Sequence, residues 1–333
     1  MTRNCWLVLV GLLVSAVLAW VVVERLDWPV FWAALDRVMV APLALAIAGL
    51  LGGIISRAIR WMLIVVDRPG HVADFLRATC LGYLGNTILP LRAGEVLRVL
   101  AVNRLTDIPV ARAMAGAVAD RLFDAFMLGV MLLAVVGIHG AAVADIDVNS
   151  LDLSLVVAGF LAVVAALVWG RRWRGPVGRM AHRLPGRLGE RIPRWYNEII
   201  AIFAILRDPR RLVVIGSLTV LAAATDLLTM WLVMAAFGWG MPLMVAVTVV
   251  VFLNVGGLLP AAPGYIGIFQ VACILALGLY GVAESEAVAF SVVLQLLVIL
   301  LLITLGAIAI VSCGDRLGPW RRAADTKSKG MTS

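Results

Sequence analysis

Asn86-Thr-Ile-Leu-Pro90-Leu-Arg92-Ala-Gly94-Glu95-Val-Leu-Arg98 interrupts an apolar region spanning about 75–103, and its reading decides the fold. Pro90 and Gly94 break a helix, so one continuous membrane-crossing helix is not expected here. Glu95 and Arg98 stand three apart and can pair where a helix restarts. A second apolar region, about 243–282, is broken in the same manner by Asn254-Val-Gly256-Gly257-Leu-Leu-Pro260-Ala-Ala-Pro263-Gly264-Tyr-Ile-Gly267-Ile-Phe-Gln270. Two prolines and four glycines free backbone groups in that stretch. A helix starting at Pro263 would turn its N-terminal dipole toward an anion.

The rest of the chain says which solvent surrounds these breaks. Of 333 residues, 63% are hydrophobic and 14% charged, against about 45–50% and about 25% in a soluble domain. Lipid is therefore the solvent for most of the protein. The spans expected are Trp6–Val23, Ala41–Val66, Ala111–Ile138, Leu153–Trp169, Leu212–Phe237 and Ala287–Val311. Trp6–Val23 is read as a retained helix, because no small-residue cleavage site follows it.

Charge sets the orientation. The connection Arg171–Arg211 carries eleven arginines against Glu190, Glu198 and Asp208, and the tail adds Arg316, Arg321, Arg322, Lys327 and Lys329. Both are expected to be cytoplasmic. His139–Asp152 contains Asp145, Asp147 and Asp152 with no Lys or Arg, and the link with Glu284 and Glu286 also lacks basic residues, so both are expected outside. These sides agree only if each broken region enters and leaves on one face. The expected fold is thus an all-α polytopic membrane protein with six full spans and two re-entrant hairpins in an inverted repeat.

The expected organisation is one membrane domain over 1–312, with repeat halves at about 41–138 and 212–311 and a basic loop at 171–211. The residues 313–333 are expected to form a disordered basic tail, with both termini at the cytoplasmic face of the inner membrane. The net charge of +8 follows membrane side rather than forming a basic groove, so nucleic acid is not an expected partner. Cys5, Cys80, Cys273 and Cys313 stand singly, the three histidines fall in connections, and no nucleophilic triad, zinc motif or phosphate loop appears. Neither metal nor cofactor nor enzymatic activity is expected.

Charged residues inside apolar spans mark the candidate site, since each costs roughly 2.5–3.5 kcal/mol at a helix centre unless it is paired. Asp120, Arg121 and Asp124 lie in one span, with Arg121 expected to pair with Asp124 or with the first break. Arg57 and Arg60 lie in another and Asp226 in a third, where two readings stay open: functional charges, or interface anchors and a satisfied interior aspartate. The candidate substrate-binding set is Asn86, Pro90, Arg92, Glu95, Arg98, Arg121, Asp124, Asp226, Asn254, Pro260, Pro263, Gly264 and Gln270. In the sharpest form of this expectation, Arg92 and Arg98 hold a lipid phosphate opposite the Pro263–Gly264 helix start.

Leu89-Pro-Leu-Arg-Ala-Gly-Glu-Val-Leu-Arg98, then Asp120-Arg-Leu-Phe-Asp124, then Leu259-Pro-Ala-Ala-Pro-Gly264 through Gln270 resemble the lysylphosphatidylglycerol synthase transmembrane-domain family, also called flippase-like or UPF0104 membrane proteins. The resemblance covers nearly the whole chain and implies a domain that moves aminoacylated phosphatidylglycerol or accompanies other envelope lipids. Tyr265 and Gln270 stand where the family often has Gly and Glu, which leaves no carboxylate at 270. The expected function is transport of an anionic, aminoacylated or polyprenyl-phosphate lipid across the cytoplasmic membrane. A membrane-embedded transferase or a non-transporting envelope scaffold is the alternative. Expected partners are the anionic lipid substrate and membrane lipids, with a second copy or an envelope-biosynthesis enzyme as a further partner.

Overall fold

The structure, a computed structural model, describes residues 20–24, 26–66, 70–89, 93–143, 197, 208–257 and 263–314. Most of the expected span Trp6–Val23, all of Leu153–Trp169, nearly all of the basic loop, the tail beyond Gly314, and Pro90, Arg92 and Pro260 lie outside the described residues.

Among the described residues the regular elements are helical: α1 (Trp28–Asp36), α2 (Val40–Val65), α3 (Val72–Ile88), α4 (Gly94–Thr106), α5 (Val110–Val143), α6 (Pro209–Ala236), α7 (Leu243–Gly256), α8 (Ile268–Gly278) and α9 (Glu284–Cys313). Of these, α2, α5, α6 and α9 are long and apolar enough to cross a membrane. Two of them, α6 and α9, begin three residues earlier than hydropathy alone places them, because polar residues at their starts favour the helix. Asp208 caps α6 by accepting from the Arg210 N–H at 3.0 Å, with Pro209 following it. Glu284 and Glu286 sit in the first turn of α9, where the helix dipole favours acid. The short α1 is an addition to the expected spans. Asp27 caps it, and its backbone N–H donates to Ser285 Oγ at 2.9 Å, tying α1 to the start of α9.

Each broken region is a helical hairpin. In the first, α3 and α4 cross at three glycines: a Cβ on Gly94 would lie 1.9 Å from the Gly82 carbonyl oxygen, and one on Gly85 would lie 2.8 Å from Gly94 Cα. Gly94 is thus the first residue of α4 and a close-contact point, while the break itself falls before it. The second hairpin joins α7 to α8 through a one-turn 3-10 helix at Pro263–Tyr265. The expected helix start at Pro263 is not realised. Gly264, Tyr265 and Gly267 have φ of +75°, +60° and +88°, left-handed values that no α-helix continues through, so α8 begins at Ile268.

The long helices set the two hairpins against each other. Contacts pair Met39 with Ala236, Arg60 with Thr219 and Ile64 with Ile215, so α2 and α6 run antiparallel along most of their length. Gly49 and Gly53 let them approach, since a Cβ at Gly49 would be 2.6 Å from Thr229 Oγ1 and one at Gly53 3.1 Å from Thr225 Oγ1. Beyond this pair the packing is reciprocal. α9 packs on α3 of the first hairpin, α5 packs on α7 of the second, and each also packs on its own hairpin. That exchange, about an antiparallel α2–α6 pair, is the arrangement of an inverted repeat. An apolar cluster around Trp61, Phe75 and Val102 fills the end holding the base of the first hairpin. Another around Phe237, Val249 and Phe290 fills the opposite end. The charged residues lie between.

Candidate functional site

Arg60 of α2 is fully buried and is bound from every side. Its Nε donates to Asp120 Oδ1 at 2.8 Å, Nη2 to Asp124 Oδ1 at 2.6 Å and Nη1 to Thr219 Oγ1 at 3.1 Å. It is therefore a core group, and the interface-anchor reading of Arg60 is overturned by its burial. One turn earlier Arg57 grips Asp226 of α6 bidentately, through Nη1 to Oδ1 at 3.2 Å and through Nη2 to Oδ2. Asp226 is thus the ion-pair partner of Arg57.

The first hairpin closes the network. Glu95 pairs with Arg98 at 2.8 Å between Oε2 and Nε, and its other oxygen accepts from Arg121 Nη2. Arg121 Nη1 donates to Asp124 Oδ2 at 3.0 Å, so this one guanidinium joins the hairpin to α5. Arg98 reaches Asp120 Oδ2 at 3.4 Å through Nη1 and lies over the Trp61 ring at 4.6 Å from Cζ to centroid.

Counted by charge, Arg57, Arg60, Arg98 and Arg121 meet Glu95, Asp120, Asp124 and Asp226, four cations to four anions. Such pairing is what apolar surroundings require, because a single unmatched charge there is expensive.

The network has a dry side and an open side. Side-chain exposure is 0% at Arg60, 1% at Asp120 and 3% at Arg98, but 30% at Asp226, 25% at Asp124 and 42% at Arg121. The open side faces a cavity of about 120 Å³ lined by Arg57, Arg121, Asp124, Asp226 and Asn254 and, beyond them, by apolar residues such as Met131. Asn254 Nδ2 donates one hydrogen bond to the Val250 carbonyl at 2.8 Å, and these two residues of α7 bring the second hairpin to the cavity wall. A second cavity of about 140 Å³ lies on the other side of the Arg57–Asp226 pair, lined by Leu50, Ile54, Tyr83, Val298, Leu301 and Leu302 together with that pair.

The candidate residues divide accordingly. Glu95, Arg98, Arg121, Asp124 and Asp226 join one network, and Asn254 joins them at the cavity. Arg98, expected to hold a phosphate, is instead enclosed by Glu95, Asp120 and Trp61 and lines neither cavity; the cavity arginines are Arg57 and Arg121. Asn86 sits at the glycine crossing against Gly94. Gln270 and Gly264 form a separate latch: Gln270 Oε1 accepts from the Gly267 N–H at 2.7 Å, Gln270 Nε2 donates to Gln295 Oε1 at 2.6 Å, and Gln295 Nε2 donates to the Gly264 carbonyl at 2.7 Å. The Pro263–Tyr265 turn thereby rests on α9 and also packs on α3. Gln270 itself takes the Gly267 N–H at the start of α8.

Arg57, Arg60 and Asp120 belong to the site but lie outside the expected substrate-binding set. Their signal is a helical stripe. Gly49, Gly53, Arg57 and Arg60 share a face of α2, and Gly116, Asp120 and Asp124 share one of α5, so small residues for close approach continue directly into charges.

Fold and site together define a multi-pass helical membrane protein whose charged centre is shared between two inverted hairpin units. The chain belongs to the family described as the lysylphosphatidylglycerol synthase TM region, whose sequence profile matches residues 8–306. It is similar to a UPF0104 membrane protein of Methanothermobacter thermautotrophicus, 25% identical over 324 residues and covering 92% of each chain. A second UPF0104 membrane protein of the same organism is 24% identical over 237 residues, covering 67% of this chain and 69% of that one.

Proposed function

We propose that the protein moves a phosphate-bearing lipid across the cytoplasmic membrane, receiving the head group in the cavity lined by Arg57, Arg121, Asp124, Asp226 and Asn254. One observation carries this reading: a set of half-open charged groups faces a cavity between spans, while the rest of their network is dry. Guanidinium groups offer paired donors to phosphate oxygens in a setting where water competes little. Intramembrane ionisable groups of this kind commonly mark a substrate path. The family's name sets its members beside a lipid-modifying synthase, which supports a lipid as cargo.

The orientation follows from charge at the two ends. Arg77, Arg104, Arg112, Arg210 and Arg211 gather with Asp74, Asp107 and Asp208 at the end holding the base of the first hairpin, whereas the other end carries Arg37 with Asp27, Asp36, Glu284 and Glu286, so the arginines are concentrated at the first end. By the positive-inside rule the first end faces the cytoplasm, and with it the end of α9.

The test is reconstitution of the full chain into vesicles of phosphatidylcholine with fluorescently labelled phosphatidylglycerol, read by dithionite quenching. Exchange between leaflets faster than in empty vesicles, abolished in Arg57→Gln, is the expected result. A new covalent lipid product without exchange would instead mark a membrane transferase.

A further inference from the structure

The two cavities share a wall, and the wall is an ion pair. Arg57 and Asp226 line both the polar cavity and the apolar one, and no other described residue does so. Of the arginines in the network, Arg57 is the one that both grips a carboxylate through two nitrogens and faces open space. Its side chain is 19% exposed and that of Asp226 30%, whereas the neighbouring Arg60–Asp120 pair is closed at 0% and 1%. The geometry is also chemically specific. A carboxylate held by the two ends of a guanidinium presents two oxygens where a phosphate would present two of its own. Asp124, with Oδ1 3.9 Å from Arg57 Nε, stays as a neighbour whichever anion Arg57 holds.

Resting on the transport reading, we propose that Asp226 is an internal stand-in for a lipid phosphate. An arriving phosphate displaces the carboxylate from Arg57, and the polar cavity takes the head group. Parting of the pair opens the wall to the apolar cavity, where Val298, Leu301 and Leu302 receive the first part of the hydrocarbon chain. The two cavities then form one site for a single amphipathic molecule. The substrate-free protein keeps this site closed with its own anion, and no charge is left unmatched while it waits.

The consequence has a definite sign. A residue that only builds the site weakens binding when removed, but removal of a competitor strengthens it. Equilibrium titration of the full chain in dodecyl maltoside with dioctanoyl phosphatidylglycerol is expected to give about tenfold tighter binding for Asp226→Asn, the worth of one charge-assisted hydrogen bond no longer contested. The double variant Arg57→Gln/Asp226→Asn removes one cation and one anion together and so strands no charge. It is expected to bind about tenfold more weakly than the parent. Leu301→Trp, which fills the apolar cavity, is expected to weaken dioctanoyl phosphatidylglycerol but not glycerophosphoglycerol, the same head without chains.

Equal or weaker binding by Asp226→Asn overturns the proposal, as does parental affinity in the double variant, which stands in should the single one misfold. If the parent still exchanges labelled lipid while Asp226→Asn shows no gain, the stand-in idea alone fails. If Asp226→Asn gains affinity but the parent exchanges nothing, the site stands and the transport reading fails.

Discussion

Arg60 and Asp120 face each other at 2.8 Å from Nε to Oδ1 with neither side chain reaching the surface. Arg60 keeps Asp124 and Asp120 keeps Arg98 when the other is removed, but the buried network is then one charge out of balance, and breaking a buried pair costs about 3–5 kcal/mol. Arg60→Gln and Asp120→Asn are each expected to lower the Tm of the purified protein by several degrees, read from tryptophan fluorescence on heating. The double variant is expected to recover most of that drop; a double variant as unstable as the two single effects summed would show that the pair is not what couples them.

Gly94 meets the Gly82 carbonyl so closely that an added methyl would lie 1.9 Å from it, and the obstacle is backbone. Gly94→Ala should force α3 and α4 apart, costing about 1–3 kcal/mol as overpacking generally does. The check is the monodisperse fraction on size exclusion, compared with Gly129→Ala, where nothing lies within 4 Å. Equal behaviour of the two variants would contradict the crossing.

Arg121 uses two different nitrogens to hold Glu95 and Asp124. Lysine keeps the charge but is a point donor that cannot reproduce the fork. Arg121→Lys is therefore expected to retain the parental Tm within a degree or two while slowing leaflet exchange by about tenfold, the worth of one charge-assisted hydrogen bond. Full exchange in this variant would mean that the bridge between hairpin and span plays no part in movement of lipid.

Gln270 both accepts and donates, to Gly267 and Gln295 in turn. Gln270→Glu keeps the acceptor, removes the donor and puts a charge in a buried place. A destabilisation of about 1–3 kcal/mol is expected, because the Gln295 carbonyl oxygen is left buried without its donor. Gln295→Ala should act in the same direction, and both should speed labelling of a cysteine placed at the exposed Ile266 beside the turn. A slower or unchanged rate would count against the latch.

Orientation is tested without reference to lipid. On a background lacking the native cysteines, Asp107→Cys at the link from α4 to α5 and Glu284→Cys at the start of α9 are expected to label from opposite faces of intact cells, Glu284→Cys from outside. Labelling from one common face would undo the inverted arrangement.

What the linear chain reveals is local. The four long helices follow from hydropathy, and Glu95–Arg98 and Arg121–Asp124 pair at a spacing of three. The interruptions between α3 and α4 and between α7 and α8 are legible because Pro and Gly in the sequence there act on the backbone where they stand. What stays hidden is whatever depends on a distant partner. Arg60 and Asp120 are 60 residues apart, and Arg57 and Asp226 are 169 apart. Which face of α6 turns toward α2 is decided by glycines and threonines whose apolar count says nothing of direction. Arg98 reads as an accessible cation for the same reason, since its enclosure comes from Trp61 and Asp120 on other helices. The α8 start fails differently: a proline favours a helix after it, but the left-handed residues that follow override it.

The four-to-four balance also has a history, because the chain is made from one end. When α2 to α5 have been synthesised, their described charges in this network are Arg57, Arg60, Arg98 and Arg121 against Glu95, Asp120 and Asp124, so one cation is in excess. The missing anion is Asp226, carried by a helix that begins at Pro209. The half-made protein therefore waits in the bilayer with a surplus positive charge that only its later half can quench. A chain halted before Pro209 should be cleared by membrane proteases faster than one halted just after Ala236, and pulse-chase of the two truncations would show whether quality control reads that surplus.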